Sequence, residues 1–419
     1  MADIISGKSR FNGENKTSGS GKVIQLRGND ETKDSLDEEY IKEKIKRHRR
    51  NVLVASGITA VMAILLVIIA LFLLDGRTYS SYAVMSSVNR DDTESADYEA
   101  FADGYIRYSN DGASYYNSKG TAVWNQTFSM QNPQIKICGE WAAIGDINGS
   151  TIYMFGTQGM VGSVDTSLSI SQIEVAERGI VAAVLEDTTA NYINLYNTDG
   201  TKIYTVKTTL AGDGYPLDIS ISEDATKLIA SYLYVSGESI KTNVVFYNFS
   251  EVGQNETERV VGGFNHYDST IVGDVQFLNS TTAVAVGEDV LSIYHIKEYP
   301  SLSKEITIDS EIERVFFNSS YIGIVVKNSE SGDIYKLSVY DTSAKEVCKT
   351  TFNTQYDTIR FDGKSVIMSN TSTFTLMNLK GKILTNQNFD LPIESVLPTG
   401  NRGRYVMVNA KYIQNIRLE

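Results

Sequence analysis

Two hydrophobic rhythms divide the chain. Between Val52 and Leu74, 23 consecutive residues carry no charge, and 15 of them are Val, Ile, Leu or Phe. As a helix rising about 1.5 Å per residue, this run reaches roughly 34 Å, enough to cross a hydrocarbon core of about 30 Å. From Tyr79 onward the rhythm changes to short apolar runs of strand length, broken by Gly, Asn, Asp and Ser. The pattern predicts one transmembrane helix followed by an all-β domain.

The flanks of the span give its direction. Lys42, Lys44, Lys46, Arg47, Arg49 and Arg50 precede it, whereas only Arg77 closely follows. Under the positive-inside rule the N-terminus is cytoplasmic and the β domain lies outside. The apolar run is longer than the core of a cleaved signal peptide, and no Ala-x-Ala site follows, so the segment reads as a retained signal anchor. Ser35 and Glu38 have capping-box spacing and mark a helix start ahead of the basic run. The organisation expected is a disordered cytoplasmic tail over 1–33, a basic juxtamembrane helix over 34–51, the anchor over 52–74, and an extracytoplasmic domain over 79–419. Gly19-Ser-Gly-Lys22 lacks the first glycine and the preceding strand of a phosphate-binding loop and is set aside.

Within the β domain one unit recurs: an apolar strand ending in a large side chain, a polar turn, and a second strand. Its copies end on Tyr116, Phe155, Tyr196, Tyr247, Tyr294, Tyr340 and Met377, at steps of 37 to 51 residues. In four of them a glycine (Gly120, Gly159, Gly200 or Gly381) stands four residues on, as a hairpin needing left-handed backbone requires. A period of about 40–50 residues with four strands each is the signature of propeller blades. Three strands remain after the seventh unit, at 393–397, 404–408 and 412–418, and the run 81–88 can supply a fourth. Eight blades closed by the two ends of the domain is the favoured count; seven with extra edge strands is the alternative.

The hairpin Tyr116-Asn-Ser-Lys-Gly-Thr-Ala-Val-Trp124 resembles the blade repeat of quinoprotein-like (PQQ-like) propellers. The whole layout is similar to uncharacterised membrane-anchored propeller proteins of Firmicutes. That resemblance implies a propeller in the cell envelope. The quinone-dependent members of the superfamily use a stacking Trp, a vicinal disulfide and an acidic calcium site. Here Trp124 and Trp141 are the only tryptophans, and Cys138 and Cys348 stand far apart. No cofactor is therefore expected.

Composition narrows the chemistry further. Residues 1–50 hold 12 Lys/Arg against 9 Asp/Glu, so the net charge of −13 arises in the remainder. An acidic domain is repelled by phosphates, which argues against nucleic acid as a partner. His48, His266 and His295 lack metal-ligand spacing, and Asp146-Ile-Asn-Gly-Ser150 fails as a calcium loop because Thr151 stands where glycine is required. Carboxylate pairs such as Asp91/Asp92 and Glu311/Glu313 read as solvated turns. No catalytic, cofactor-binding or metal-ligating residue is assigned. The polar stretches at 235–242 and 251–259 are candidate contact surfaces. The functional expectation is a non-enzymatic binding or assembly platform with an envelope protein or polymer as partner. The alternatives are an envelope hydrolase or lyase acting on polysaccharide or peptide, and a transmembrane sensor.

Overall fold

A computed structural model describes residues 31–90, 96–267, 270–328 and 332–419. Residues 1–30 of the tail expected to be disordered, the Gly19–Lys22 stretch within them and the Asp91/Asp92 pair lie outside the described residues, whereas residues 31–33 of that tail are helical. The chain divides into two compact units, Met1–Leu73 and Leu74–Glu419.

One helix, Glu31–Asp75, fills the described part of the first unit and runs on into the start of the second. It is long and apolar enough to cross a membrane. Its apolar side chains from Val52 to Val67 are exposed, and its few polar ones are satisfied within the helix. Ser56 donates to the Leu53 carbonyl at 2.9 Å and Thr59 to the Ala55 carbonyl at 3.0 Å. Such back-bonding lets hydroxyls sit in an apolar environment without an unmet donor. The helix is already formed at Glu31, so Ser35 stands inside it rather than at its cap.

The second unit is an eight-bladed β-propeller. The described residues hold eight four-stranded antiparallel sheets. Blades 1 to 7 are consecutive in sequence: 97–127, 133–165, 169–209, 215–264, 272–307, 312–352 and 358–388. Blade 8 takes three strands from the C-terminal end, Ile393–Pro398, Arg404–Asn409 and Tyr412–Leu418, and its outermost strand, Tyr82–Asn89, from the start of the unit. Tyr82 pairs with Leu418 and Asn89 with Tyr412, with one bulge between. Closure by the 81–88 run is thus as expected, and it covers what would otherwise be an open strand edge.

The core is a ring of eight apolar clusters, one at each blade interface. Seven join successive blades, and the eighth sets Leu397, Val406 and Val408 of blade 8 against Ala96, Tyr98 and Tyr105 of blade 1. This explains why the second strands read as unbroken apolar runs. In Val181–Glu186, Ala182 and Val184 pack toward blade 4, whereas Val181, Ala183 and Leu185 pack toward blade 2. A strand buried on both faces has no polar face to alternate with.

The seven recurring units are the third strands of blades 1 to 7, and their terminal side chains lie at the interfaces. Tyr247 and Tyr294 are fully buried; the Tyr247 hydroxyl meets that of Tyr232 at 2.8 Å, and the Tyr294 hydroxyl bonds to Tyr267. Trp124 stacks on Phe155 of the next blade at 4.8 Å. The turns after the third strands of blades 1, 3, 6 and 7 share one plan. Asn117, Asn197, Asp341 and Asn378 each open a turn, and the backbone three residues later is left-handed. Gly120, Gly200 and Gly381 occupy that position in three blades, and Ala344 takes it in blade 6 at φ 67°. Hence the glycine-less copy keeps the same turn at a conformational cost.

Candidate functional site

The first strand of each blade borders the central channel, and several of these strands carry a charged side chain within an otherwise apolar run. The register with the second strand slips just before Gln172, Asp218, Asp274, Arg314 and Ser395, the equivalent point of blades 3, 4, 5, 6 and 8. Such a bulge re-aims the side chain that follows it.

Several charged groups of these first strands interact across blade boundaries. Lys136 of blade 2 pairs with Glu174 of blade 3, and the charges of Asp218 and Asp274 also act on it. Burial opposes the ammonium, yet the neighbouring carboxylates, Glu174 foremost, hold the Lys136 pKa above its ordinary value. Asp218 accepts from the Val275 N–H at 2.8 Å. Its carboxyl is nevertheless pushed up to about 7, chiefly by burial, with the charge of Glu174 adding to the rise. Gln172 donates to the Leu217 carbonyl at 2.8 Å, and Ser220 accepts from the Phe277 N–H at 2.9 Å. On the other side of the ring Arg360 pairs with Glu99 at 3.2 Å, and Arg314 donates to the Asp357 carbonyl at 2.6 Å. Most of these bonds run between blades, so they fix the spacing of the first strands around the channel. Among the described residues no three His, Cys, Asp or Glu side chains gather as a metal site.

Strand direction separates two broad faces. Turns joining strands one to two and three to four lie on the proximal face, where the chain enters the propeller at Tyr82. Turns joining strands two to three, and the links between blades, lie on the distal face. The turns of the distal face carry Glu186, Asp213, Glu238, Glu288, Asp289 and Asp309 with few cations, whereas on the proximal face Lys119, Lys202, Lys364, Lys380, Lys382 and Arg402 stand among acidic residues such as Asp103, Glu140 and Glu223. Asp146 lies on the distal face, in a tight turn between the second and third strands of blade 2. Gly149 donates back to its carbonyl at 2.9 Å, and its side chain accepts from the Asn132 N–H at 2.8 Å.

The two stretches singled out as contact surfaces differ in kind. Residues 251–259 form two 3-10 turns that brace the propeller's edge. Arg259 lies over the Tyr204 ring at 4.6 Å and donates to the Phe249 carbonyl at 3.2 Å. Residues 235–242 are no loop. They belong to the hairpin of Lys227–Ser236 and Ser239–Asn248, two ten-residue strands that outrun those of every other blade. The alternation Val235, Ile240 and Thr242 was the available signal, masked by the intervening Ser, Gly and Glu. At the hairpin's outer end Val235 is 75% exposed and its cross-strand partner Ile240 is 57% exposed. The free cysteines, Cys138 and Cys348, lie in strands as expected.

Comparison with known proteins agrees with this architecture. The propeller of Saccharomyces cerevisiae Sqt1 aligns with a TM-score of 0.53 at 12% identity, covering 82% of this chain and 99% of that one. BamB from Moraxella catarrhalis gives a TM-score of 0.51 at 11% identity, covering 81% and 98%. Chaetomium thermophilum Sqt1, solved with the N-terminus of ribosomal protein L10 bound, gives 0.50 at 10% identity, covering 77% and 92%. At such identities the likeness concerns the fold alone. No curated protein matches the sequence. Residues 75–418, which are nearly the whole propeller, match the family of unknown function DUF5711, and the chain belongs to that family.

Proposed function

We propose that this chain is a membrane-anchored, extracytoplasmic β-propeller that serves as a non-enzymatic binding or assembly platform in the cell envelope. The observation that carries this reading is the blade 4 hairpin, which holds two large apolar side chains in solvent at the rim of a rigid ring. Val235, at 75%, is the most exposed of the large apolar side chains recorded on the propeller, and adjacent apolar side chains held clear of the fold suit a partner's contact. The channel supports the same reading, because its charges are spent on holding blades together. A structural neighbour, Chaetomium thermophilum Sqt1, holds a protein segment on a propeller of the same architecture.

The basic run before Val52 and the single Arg77 after Leu74 support a cytoplasmic N-terminus, with residues 1–33 as a passive tail and 34–51 as a basic juxtamembrane segment. The test is cross-linking in living cells of the natural source, then purification of the tagged full-length chain. An envelope protein or polymer recovered with the full chain, and lost when the propeller is removed, supports the platform. Recovery of none refutes it. Protease treatment of cells with an opened outer surface should degrade the propeller and spare an N-terminal tag; the reverse would overturn the orientation.

A further inference from the structure

The blade 4 hairpin overhangs its neighbours in a way that specifies a docking mode. Its two strands pair from Lys227–Asn248 out to Ser236–Ser239. The first strand of the blade joins them only as far as Leu233, opposite Tyr215, and the fourth only from Val244, opposite Phe264. Beyond those points both edges of the hairpin, 234–236 and 239–243, lack a third strand among the described residues. Exposed edges of this sort take an added strand readily, and the hairpin has no proline to block one.

Side-chain geometry gives the overhang an apolar underside. Val235, Ile240, Leu233 and Thr242 share one face of the hairpin, by alternation and by the pairs Val235–Ile240 and Leu233–Thr242. That face looks toward blade 5, since the Thr242 hydroxyl donates to the Thr270 carbonyl at 3.3 Å and accepts from the Val272 N–H at 3.2 Å. Blade 5 stops short: its second and third strands, Thr282–Gly287 and Val290–Ile296, turn at Glu288 and Asp289. The result is a ledge with Val235 and Ile240 above and Ile271, 37% exposed, at its base. Carboxylates flank it. Glu238 sits at the hairpin tip, and Asp289 bonds to Thr270 beside Ile271. Lys241, whose cross-strand partner is Tyr234, belongs to the opposite face of the hairpin.

We infer that this ledge is the docking site for an extended segment of a partner protein, one whose ledge-facing side chains, every second residue, are apolar at the centre and Lys or Arg at the ends. The segment adds as a strand to an open hairpin edge, places its apolar side chains against Val235, Ile240 and Ile271, and sets its cations against Glu238, Glu288 and Asp289. Charge complementarity selects a basic strand over an acidic one. This inference rests on the platform reading and names the site and chemistry of its partner.

The experiment places a photo-crosslinking amino acid at position 235 of the full-length chain in living cells of the natural source. A second chain carries it at position 123, an exposed position on the outer strand of blade 1, as control. The expected result is one dominant protein adduct, specific to position 235, whose cross-linked peptide is net basic with alternating apolar residues. Its yield should fall at least roughly fivefold on Glu238→Lys with Glu288→Lys, and also on Ile240→Asp, while thermal unfolding of each variant stays near that of the parent. No specific adduct at 235, an acidic peptide, a second copy of this chain, a lipid adduct, or a yield indifferent to the substitutions would each overturn the inference. If whole-cell cross-linking still recovers a propeller-dependent partner in those cases, the platform reading survives without this site. If it recovers none, both fall.

Discussion

Tyr82 and Leu418, from opposite ends of the propeller's sequence, lie directly across from each other in blade 8. Replacing residues 82–89 with a Gly/Ser segment of equal length would leave Tyr412–Leu418 as an open edge and remove the clamp on the ring. The expected outcome is a drop in melting temperature together with self-association, read by thermal unfolding and light scattering of the detergent-purified full chain. A melting curve and particle size matching the parent would show that the outermost strand is dispensable.

The shared hairpin turn makes an internal comparison possible. Ala344→Gly removes a left-handed alanine and should stabilise the chain by about 0.5–1 kcal/mol. Gly381→Ala meets no atom closer than Thr350 Cβ at 3.9 Å, so its cost should be conformational alone, about 1 kcal/mol. Gly200→Ala should cost more than either, because its new methyl would lie 2.4 Å from the Ser163 carbonyl oxygen. Chemical denaturation of the three variants should return them in that order.

Asp218 predicts a pH dependence of stability. Its carboxyl holds a proton up to about 7 in the folded chain, whereas the ordinary value is 3.8. Between those limits the native state binds the proton that the unfolded chain has lost. Its contribution is therefore greatest below about pH 4 and declines as the pH rises to about 7. Asp218→Asn keeps an acceptor for the Val275 N–H and removes the ionisation. It should flatten part of that decline, by on the order of 2–3 kcal/mol, and melt higher than the parent at pH 8. An unchanged difference between pH 5 and pH 8 would contradict the burial of Asp218.

Trp124 combines a stacking contact with an unmet donor. Its ring lies on Phe155, and its buried indole N–H finds no acceptor among the described residues. Trp124→Phe keeps part of the stack and relieves the orphan, so it should cost under about 1.5 kcal/mol. Trp124→Ala opens a cavity between blades 1 and 2 and should cost about 3–5 kcal/mol. Equal losses would show that the ring retained by Phe contributes nothing, and would contradict both the stacking and the cavity account.

How far the sequence reveals this molecule depends on the range of the forces involved. The third strands were legible because each ends in a large side chain, such as Tyr196 or Tyr294, and four of them run into a glycine turn that local chemistry demands. The closing role of 81–88 followed from counting strands, since three strands leave an edge. Lys136, Glu174, Asp218 and Asp274 were not legible as a group. They come from four blades, and nothing local marks which charge in a strand faces the channel. The hairpin at 235–242 was read as a polar stretch because its strand character lies in cross-strand pairing, with only Val235 and Ile240 to betray it. Ser35 failed as a cap for a different reason: the residues before it favour helix as well, so a good capping residue did not stop propagation.

The blade 8 pairing also sets an order on synthesis. Residues 82–89 emerge first among the propeller's strands, yet their partner, Tyr412–Leu418, is made last. Blades 1 to 7 can each form their sheet as they leave the ribosome, but the ring stays an open arc until the final strand is delivered. During that interval the edge of the first strand and the unmatched interfaces of blades 1 and 7 are exposed. The nascent chain is then at its most vulnerable to proteases and to mispairing with a neighbouring copy.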